Sequence, residues 1–324
     1  MNQYATMIRN LKSPEVMERL MHLYGRRDGM LVEQTGRYIG LLKRHEELFH
    51  ENREVLMISA PGRTEIGGNH TDHNRGRVLA AAINLDTLSA VSARDDMMVE
   101  IHSDGYPAIK VDLGNLDVVE KEKGKTHALV RGVAARMAEL GYKIGGFNAA
   151  IESDIPIGSG VSSSAAFEVL IGRIFNALYN GGSVEPMTIA LAAQYAENAH
   201  FGKPCGLMDQ AACALGGVQL IDFFDNAAPN VSALEWPFTN EFAIYIINTG
   251  SSHADMADAY TQITADMKSV SDILGVDRLG HADEAEFVRR LGEIRRAAGD
   301  RAAMRALHFF GENARVSDMA AAIR

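Results

Sequence analysis

The chain lacks the features that place a protein in a membrane or in an oxidising compartment. Its 324 residues include only two cysteines, Cys205 and Cys213, too few for the disulfide frameworks of small secreted domains. No apolar run approaches the ~18 residues that cross a bilayer. The N-terminal segment also lacks the apolar core of a signal peptide. These absences predict a cytoplasmic protein without a membrane partner.

An excess of positive charge is also missing. The formal net charge is −10 at pH 7, with acids and bases interspersed along the chain, which argues against nucleic acid as a partner. What is present is an ordinary globular composition, 47% hydrophobic and 23% charged. A chain of this length exceeds one comfortable core, so we expect two domains. The sequence predicts no particular oligomeric state.

Secondary-structure patterns change along the chain. Alternating and apolar runs predict neighbouring strands in the first two thirds, among them separate strands at Val78–Ile83 and Leu88–Ala93. A helix is expected over Thr126–Leu140, with Thr126 as its N-cap. After a predicted strand at Phe242–Asn248, strong helix formers dominate the remainder. This order of elements predicts an α+β fold with two lobes.

A polar stretch after residue 224 sets the expected boundary between the lobes. We predict an N-terminal mixed-sheet lobe over residues 1–224 and a C-terminal lobe over residues 225–324. The segments richest in chemistry all fall before this boundary.

The first such segment is a glycine- and serine-rich turn, Ile155–Ala165, between a predicted strand and a predicted helix. Its glycines allow close approach of the backbone to a ligand, and the helix that follows directs unpaired N–H groups at it. These features favour polyphosphate binding. No Gly-Lys-Ser/Thr follows, so the turn is not a Walker A loop. Two other interpretations stay open: a plain capped turn and a dinucleotide-binding turn, although Ser163 stands where the third glycine of that fingerprint belongs.

The second segment, Gly62–Asn74, crowds arginine, histidine, aspartate and asparagine beside glycines. Planar side chains that donate and accept hydrogen bonds suit the hydroxyls of a sugar. A metal-dependent hydrolase with His70, Asp72 and His73 as ligands is the rival interpretation, and a polar β-turn is the structural one.

The third segment, Glu197–Gln210, contains two acids, Glu197 and Asp209, on either side of a Gly-Pro-Gly loop. One acid is suited to bind magnesium and the other to orient a substrate hydroxyl. Taken alone, each also fits a helix-surface charge or an N-cap.

Together the three segments resemble the galactokinases, members of a superfamily of small-metabolite kinases that includes mevalonate and homoserine kinases. Gly62–Asn74 resembles the sugar signature Gly-Arg-Val-Asn-Leu-Ile-Gly-Glu-His-Thr-Asp-Tyr-Asn, and Pro156–Ala165 is similar to the phosphate loop of the superfamily. Cys205–Gln210 matches Cys-Gly-Ile-Met-Asp-Gln almost residue for residue. The resemblance covers residues 50–324, because Tyr260 and a segment around His308 also match family features.

The resemblance implies a two-lobed small-metabolite kinase fold that uses ATP and Mg²⁺ to phosphorylate the anomeric hydroxyl of galactose. It places Asp209 at that hydroxyl, with Arg63 keeping the acid ionised and neutralising charge on the transferred phosphoryl group. The remaining positions are carried over by match to the motifs. The implied sugar contacts are Arg63, Asn69, His70, Asp72, Gly206, Asp209 and Tyr260, the implied ATP contacts are Gly158, Ser159, Gly160, Ser162, Ser163 and Ser164, and the implied magnesium ligands are Ser164 and Glu197.

Two departures from the family pattern change the expectation. Asn69 stands where galactokinases carry glutamate, at a position that the resemblance places near C6 of the sugar. Asparagine is uncharged and both donates and accepts, so we hypothesise relaxed selectivity at C6, with galacturonate as an alternative substrate. The glycine-rich motif Gly-x-Gly-x-Gly-Gly is also absent after Gly250. We therefore expect an incomplete C-terminal lobe, and a non-catalytic sensor of sugar and ATP is the alternative from another class.

Overall fold

A computed structural model describes residues 3–50, 53–156, 158–237, 244–247 and 257–324, with side chains in the last range from residue 262 onward. The chain forms two compact units, each assembled from three stretches. The first unit comprises Met1–Gly62, Ile83–Pro156 and Ser162–Cys205, and the second comprises Arg63–Ala82, Ile157–Val161 and Gly206–Arg324. The sequence-based boundary at residue 224 stays a prediction.

The first unit packs helices against a mixed sheet. In its part of the sheet the strand order is β4-β3-β5-β2, with β3 parallel to β5 and the other neighbours antiparallel. Three N-terminal helices bury residues such as Tyr4, Leu42 and Leu88 in one core with the sheet. The elements are α1 (Gln3–Asn10), α2 (Pro14–Tyr24), α3 (Met30–Phe49), β1 (Val55–Gly67), β2 (Arg77–Ala93), β3 (Met98–Ser103), β4 (Ile109–Asp112), α4 (Thr126–Glu139), β5 (Phe147–Ser153), α5 (Ser163–Tyr179) and α6 (Pro186–Tyr195).

Strands β1 and β2 contribute residues to both units. In the second unit, β2 pairs antiparallel with β6, and β6 pairs antiparallel with β7. The helices that follow bury a separate core around Phe287, Phe309 and Ile294. The further elements of this unit are α7 (Met208–Leu215), β6 (Val218–Asp222), β7 (Asn230–Leu234), α8 (Ala257–Leu274), α9 (Glu284–Arg289), α10 (Leu291–Ala298) and α11 (Asp300–Ile323).

The predicted α+β class is confirmed, but some element boundaries were wrong. The two strands expected at Val78–Ile83 and Leu88–Ala93 are one 17-residue strand, β2. The polar residues Asn84 and Asp86 interrupt the apolar pattern, and they are accommodated because both are hydrogen-bonded, Asn84 to the Tyr24 carbonyl and Asp86 to the Tyr24 hydroxyl. A local sequence pattern does not show that a helix distant in the chain supplies hydrogen-bond partners for polar strand residues.

Two further expectations meet the structure differently. Thr126 was predicted to be the N-cap of helix α4, but it is the first helical residue. The N-cap is Lys125, which has an extended backbone and makes no side-chain capping bond. Of the strand predicted at Phe242–Asn248, residues 244–247 lie in neither helix nor strand, and the rest of that range lies outside the described residues. Within the described residues, no helix combines the length and the apolar character that a membrane crossing requires.

Candidate active site

Arg63 joins two segments that are distant in sequence, both in the second unit. It lies on β1, and its backbone N–H donates to the Val161 carbonyl at 3.3 Å. Its Nη1 donates to the carbonyl of Gly160 at 2.5 Å, while Nε and Nη2 donate to Oδ1 of Asp209 at 2.8 and 2.6 Å. One buried guanidinium therefore connects the glycine–serine turn to the acid.

The electrostatics of this pair keep the arginine charged. Burial alone lowers the pKa of Arg63, but the attraction and hydrogen bonds of Asp209 outweigh it, and the pKa is raised. The Arg63 side chain is 7% exposed and that of Asp209 is 32% exposed. Asp209 lies in the first turn of α7, where the helix dipole favours a carboxylate. The pair thus presents a partly exposed acid that is held from behind by a buried cation.

Asp72 is a second acidic residue of the candidate site, in the same unit as Asp209. It lies in a 3₁₀ turn, Thr71–Asn74, and is buried. Its Oδ2 accepts the Met208 N–H at 3.1 Å, and a Cβ placed on Gly206 would lie 1.8 Å from that oxygen. Only glycine therefore fits at position 206.

The other oxygen of the Asp72 carboxylate accepts no hydrogen bond from the described residues. Oδ1 of Asp72 is buried and has no hydrogen-bond partner among the described residues; the nearby His70 Nδ1 is 4.0 Å away. Buried acceptors are nearly always satisfied in folded proteins. An unsatisfied carboxylate oxygen beside a glycine that has no room for a side chain fits a ligand that supplies a hydroxyl donor.

The turn that follows β1 carries Asn69 and His70, and both side chains are exposed. Gly68, Asn69 and His70 have φ values of 118°, 49° and 59°, a left-handed region that residues other than glycine seldom adopt. The Asn69 amide nitrogen lies 3.0 Å from Nε2 of His308 on α11. The sequence alone did not indicate this last contact.

Sequence reasoning also missed Glu65, which lies two residues after Arg63 on β1. Both oxygens of its carboxylate accept the His70 N–H, at 2.9 and 3.2 Å. Burial raises the pKa of Glu65 to about 7, an effect opposed by the His70 N–H and by Arg63 and reinforced by Asp72 and Asp209. The signal was present in the strand, where residues two apart lie on the same face.

The glycine–serine turn has the backbone of a ligand-binding loop. Gly158, Gly160 and Ser162 have positive φ values of 72°, 78° and 61°. Helix α5 begins at Ser163, and the Ser162 side chain makes no capping bond to it. Ser159 lies between the two glycines. Ser164 lies in the first turn of helix α5. An uncapped start of a 17-residue helix after two left-handed glycines fits an anionic ligand.

Two predicted site residues are less fully placed. Glu197 lies in a π-helical segment, Ala196–Phe201, where it is buried and accepts from Lys203 Nζ at 3.0 Å. Its role as a magnesium ligand stays a prediction. Tyr260 lies in α8, but its side chain is outside those described, as is His253 altogether.

The rival metal interpretation has a geometric basis. His70, Asp72 and His73 offer ligand atoms that all lie within 4.8 Å of one another. This is the one such group found in the described part of the chain. The geometry permits a cation, and the identity of such an ion stays open.

Comparisons with known families and proteins agree with one another. The galactokinase galactose-binding signature matches residues 43–93, and the GHMP kinase N-terminal domain matches residues 128–217. The galactokinase of Streptomyces coelicolor is 32% identical over 266 residues, which cover 78% of this chain and 67% of that protein. The galactokinase of Lactococcus lactis is 30% identical, and the match covers 80% of this chain and 66% of that protein. For the Pyrococcus furiosus galactokinase the identity is 34%, and the shares covered are 64% and 56%.

Solved structures show the same fold. The Lactococcus lactis galactokinase, solved in complex with galactose, superimposes with a TM-score of 0.71 at 24% identity, covering 87% of this chain and 73% of that one. The Methanococcus jannaschii mevalonate kinase gives 0.50 at 14% identity and covers 80% of each chain. The chain thus spans between about half and two thirds of the curated relatives named above. On this evidence the chain belongs to the galactokinase family of the GHMP kinases.

Proposed function

We propose that the chain phosphorylates the anomeric hydroxyl of galactose with ATP, giving galactose 1-phosphate and ADP. The observation that carries this proposal is the bonding of Arg63 to both Asp209 and the Gly160 carbonyl. It brings the candidate acid and the candidate phosphate loop to one guanidinium, as a reaction between a hydroxyl and a triphosphate requires. Family membership and the kinase relatives support the use of ATP.

In this mechanism ATP, with Mg²⁺ on its phosphates, supplies the phosphoryl group. Asp209 accepts the hydrogen bond of the anomeric hydroxyl and takes its proton as the oxygen–phosphorus bond forms and the bond to ADP breaks. Arg63 stabilises the Asp209 carboxylate and the negative charge that develops beside it. Positioning and charge neutralisation thus both come from one ion pair.

Sugar recognition is assigned to the residues around that pair. Asp72 Oδ1, which is buried and has no partner among the described residues, accepts from a sugar hydroxyl, and the missing side chain of Gly206 leaves room for the Asp72 carboxylate itself. Asn69 and His70 contact the sugar from the exposed turn. We keep the expectation that Tyr260 contributes a further contact.

The nucleotide is assigned to the turn before α5. Gly158, Ser159 and Gly160 supply the flexible backbone, and Ser162 and Ser163 lie at the helix start, where N–H groups favour anions. Ser164 and Glu197 are proposed to hold Mg²⁺, whose preference is for oxygen ligands. Glu197 would have to exchange its bond to Lys203 for the ion.

A kinase for a C6-modified galactose such as galacturonate is the second candidate. The favouring observation is the neutral amide of Asn69, bonded to His308 where the family signature has a glutamate. No carboxylate at position 69 would then repel a carboxylated sugar, and the amide could donate to it.

The test is a sugar panel with ATP and Mg²⁺, scored by ADP release and by detection of the sugar 1-phosphate. We expect turnover of galactose or galacturonate and none of glucose. The variant Asn69→Glu should lose galacturonate turnover by about tenfold relative to galactose. Asp209→Asn is the matched blank, since it keeps the shape of the site without the proton acceptor. Tight binding of sugar and ATP without any transfer would instead identify a sensor.

A further inference from the structure

The chain has exchanged a glutamate and an asparagine relative to the family sugar signature. That signature has asparagine where this chain has Glu65, and glutamate where this chain has Asn69. The carboxylate therefore lies at a half-buried strand position instead of an exposed turn position. A buried carboxylate needs hydrogen-bond donors, and the contacts of Glu65 show which group it engages.

Within the described residues, Glu65 accepts hydrogen bonds from the backbone of the turn Gly68–His70. Both of its carboxylate oxygens accept the N–H of His70, at 2.9 and 3.2 Å. That N–H follows Gly68 and Asn69, and all three residues of the turn have positive φ. Asparagine and histidine enter that region more readily than most residues, but it still costs them free energy that surrounding contacts must offset.

We propose that Glu65 is a positioning residue for sugar recognition, which holds the turn Gly68–His70 in the shape that presents Asn69 and His70 to the sugar. The inference rests on the proposed function for the identity of the ligand, but the contact on which it depends is within the protein. Glu65 acts through the backbone of the turn and need not touch the substrate.

Other contacts of the turn involve Gly68 and Asn69, or Thr71 just beyond it, but not the His70 N–H. The Thr71 N–H donates to the Gly68 carbonyl at 3.2 Å, and the Thr71 hydroxyl donates to the Arg77 carbonyl at 2.6 Å. The Asn69 side chain contacts His308. Glu65 is the acceptor recorded for the His70 N–H, so losing it leaves that N–H to water and frees the residues on either side to relax.

Charged groups of the same unit act on the Glu65 carboxylate. Arg63 on the same strand attracts its charged form, whereas Asp72 and Asp209 repel it. The proposed role depends on the hydrogen bond from the His70 N–H, which an ionised or a neutral carbonyl-type oxygen can accept.

The first experiment measures amide hydrogen exchange over residues 66–74 in the wild type, Glu65→Gln and Glu65→Ala. Glu65→Gln keeps an acceptor oxygen and should retain protection, while Glu65→Ala should exchange at least about tenfold faster across the turn. Glu100→Ala is the matched control, a half-buried strand glutamate in the first unit, and it should leave the turn unchanged. This measurement needs no ligand.

The second experiment measures the affinities for galactose and for ATP separately by calorimetry. We expect Glu65→Ala to weaken sugar binding about tenfold and to leave the ATP affinity within about twofold, with Glu65→Gln close to wild type at pH 6.

Two results separate the proposals. If the wild type binds ATP but neither galactose nor galacturonate, the proposed sugar kinase function fails, and hydrogen exchange alone decides the role of Glu65. If Glu65→Ala folds with unchanged exchange over residues 66–74, the positioning role is overturned, whatever the sugar affinity. A chain too unstable to purify as Glu65→Ala is replaced by Glu65→Leu, judged by the same exchange criterion.

Discussion

Two arginine–aspartate pairs in this protein have similar contact distances but differ in the exposure of the acid. In the second unit Arg63 bonds Asp209, and in the first unit Arg37 bonds Asp86; the shortest N–O distance is 2.6 Å in both. Arg37 lies in helix α3 and Arg63 in strand β1, and both side chains are almost fully buried. The pKa of each arginine is raised, because its carboxylate partner outweighs the effect of burial. The cations are alike.

The difference lies in the acids. The Asp86 side chain is 6% exposed and also accepts the Tyr24 hydroxyl at 2.7 Å, so its acceptor capacity is taken up by the protein. The Asp209 side chain is 32% exposed. A closed pair fastens helices α2 and α3 to strand β2, whereas an open pair keeps an acid that can meet a substrate. Exposure of the acid is therefore the observed difference between the two pairs, and it is the basis for proposing a chemical role for Asp209 alone.

The largest expected effect is on activity at the open pair. Asp209→Asn should lower kcat by about a thousandfold, because the amide cannot take the hydroxyl proton. Its stability should fall less than that of the closed-pair variant, since Gly160 still accepts from Arg63 and residue 209 is partly solvated. Sugar-dependent ADP release and urea unfolding measure the two effects. Full activity in Asp209→Asn would contradict the assignment of the open pair.

The closed pair should show the reverse. Asp86→Asn removes the shortest ion pair of the buried Arg37, whose guanidinium keeps Glu152 at 3.3 Å and Asp154 at 3.0 Å. It should lower the free energy of unfolding by about 3 kcal/mol, while the folded fraction keeps its specific activity. Urea unfolding measures it. The control is Asp95→Asn, which breaks an exposed pair with Arg53 and should leave the free energy of unfolding close to that of the wild type. Equal losses in both variants would remove the distinction between closed and exposed pairs.

The smallest expected effect is the pH dependence of stability that Glu65 contributes in the second unit. The pKa of Glu65 is raised from 4.5 to about 7, so the folded protein binds this proton more tightly than the unfolded chain does. The resulting stability is complete below pH 4.5 and is lost as the pH rises through about 7. Relative to Glu65→Gln, the wild type should lose up to about 3 kcal/mol across this window. Unfolding of both proteins at pH 5 and pH 8 measures it, and parallel curves would show that Glu65 does not titrate there.

The family was predictable from the sequence because its signatures are short and local. Glycines at 158 and 160, the aspartate at 209 and the cluster at 69–72 each lie in a short contiguous segment that resembles a family motif. The roles of these residues remain proposals, but the structure does bring Arg63, Gly160 and Asp209 together. The role of Glu65 was not foreseen, since its partner is a backbone N–H five residues away across a turn.

By itself the sequence determined the α+β class, the galactokinase family and the segments that carry chemistry, because periodicity and ligand-binding motifs are properties of neighbouring residues. Tertiary structure decided which acids are open and which are closed. Arg63 and Asp209 are separated by 146 positions, and Arg37 and Asp86 by 49. Burial and charge at such sites depend on groups that only folding brings together, so the two aspartates could not be told apart until the chain had folded around them.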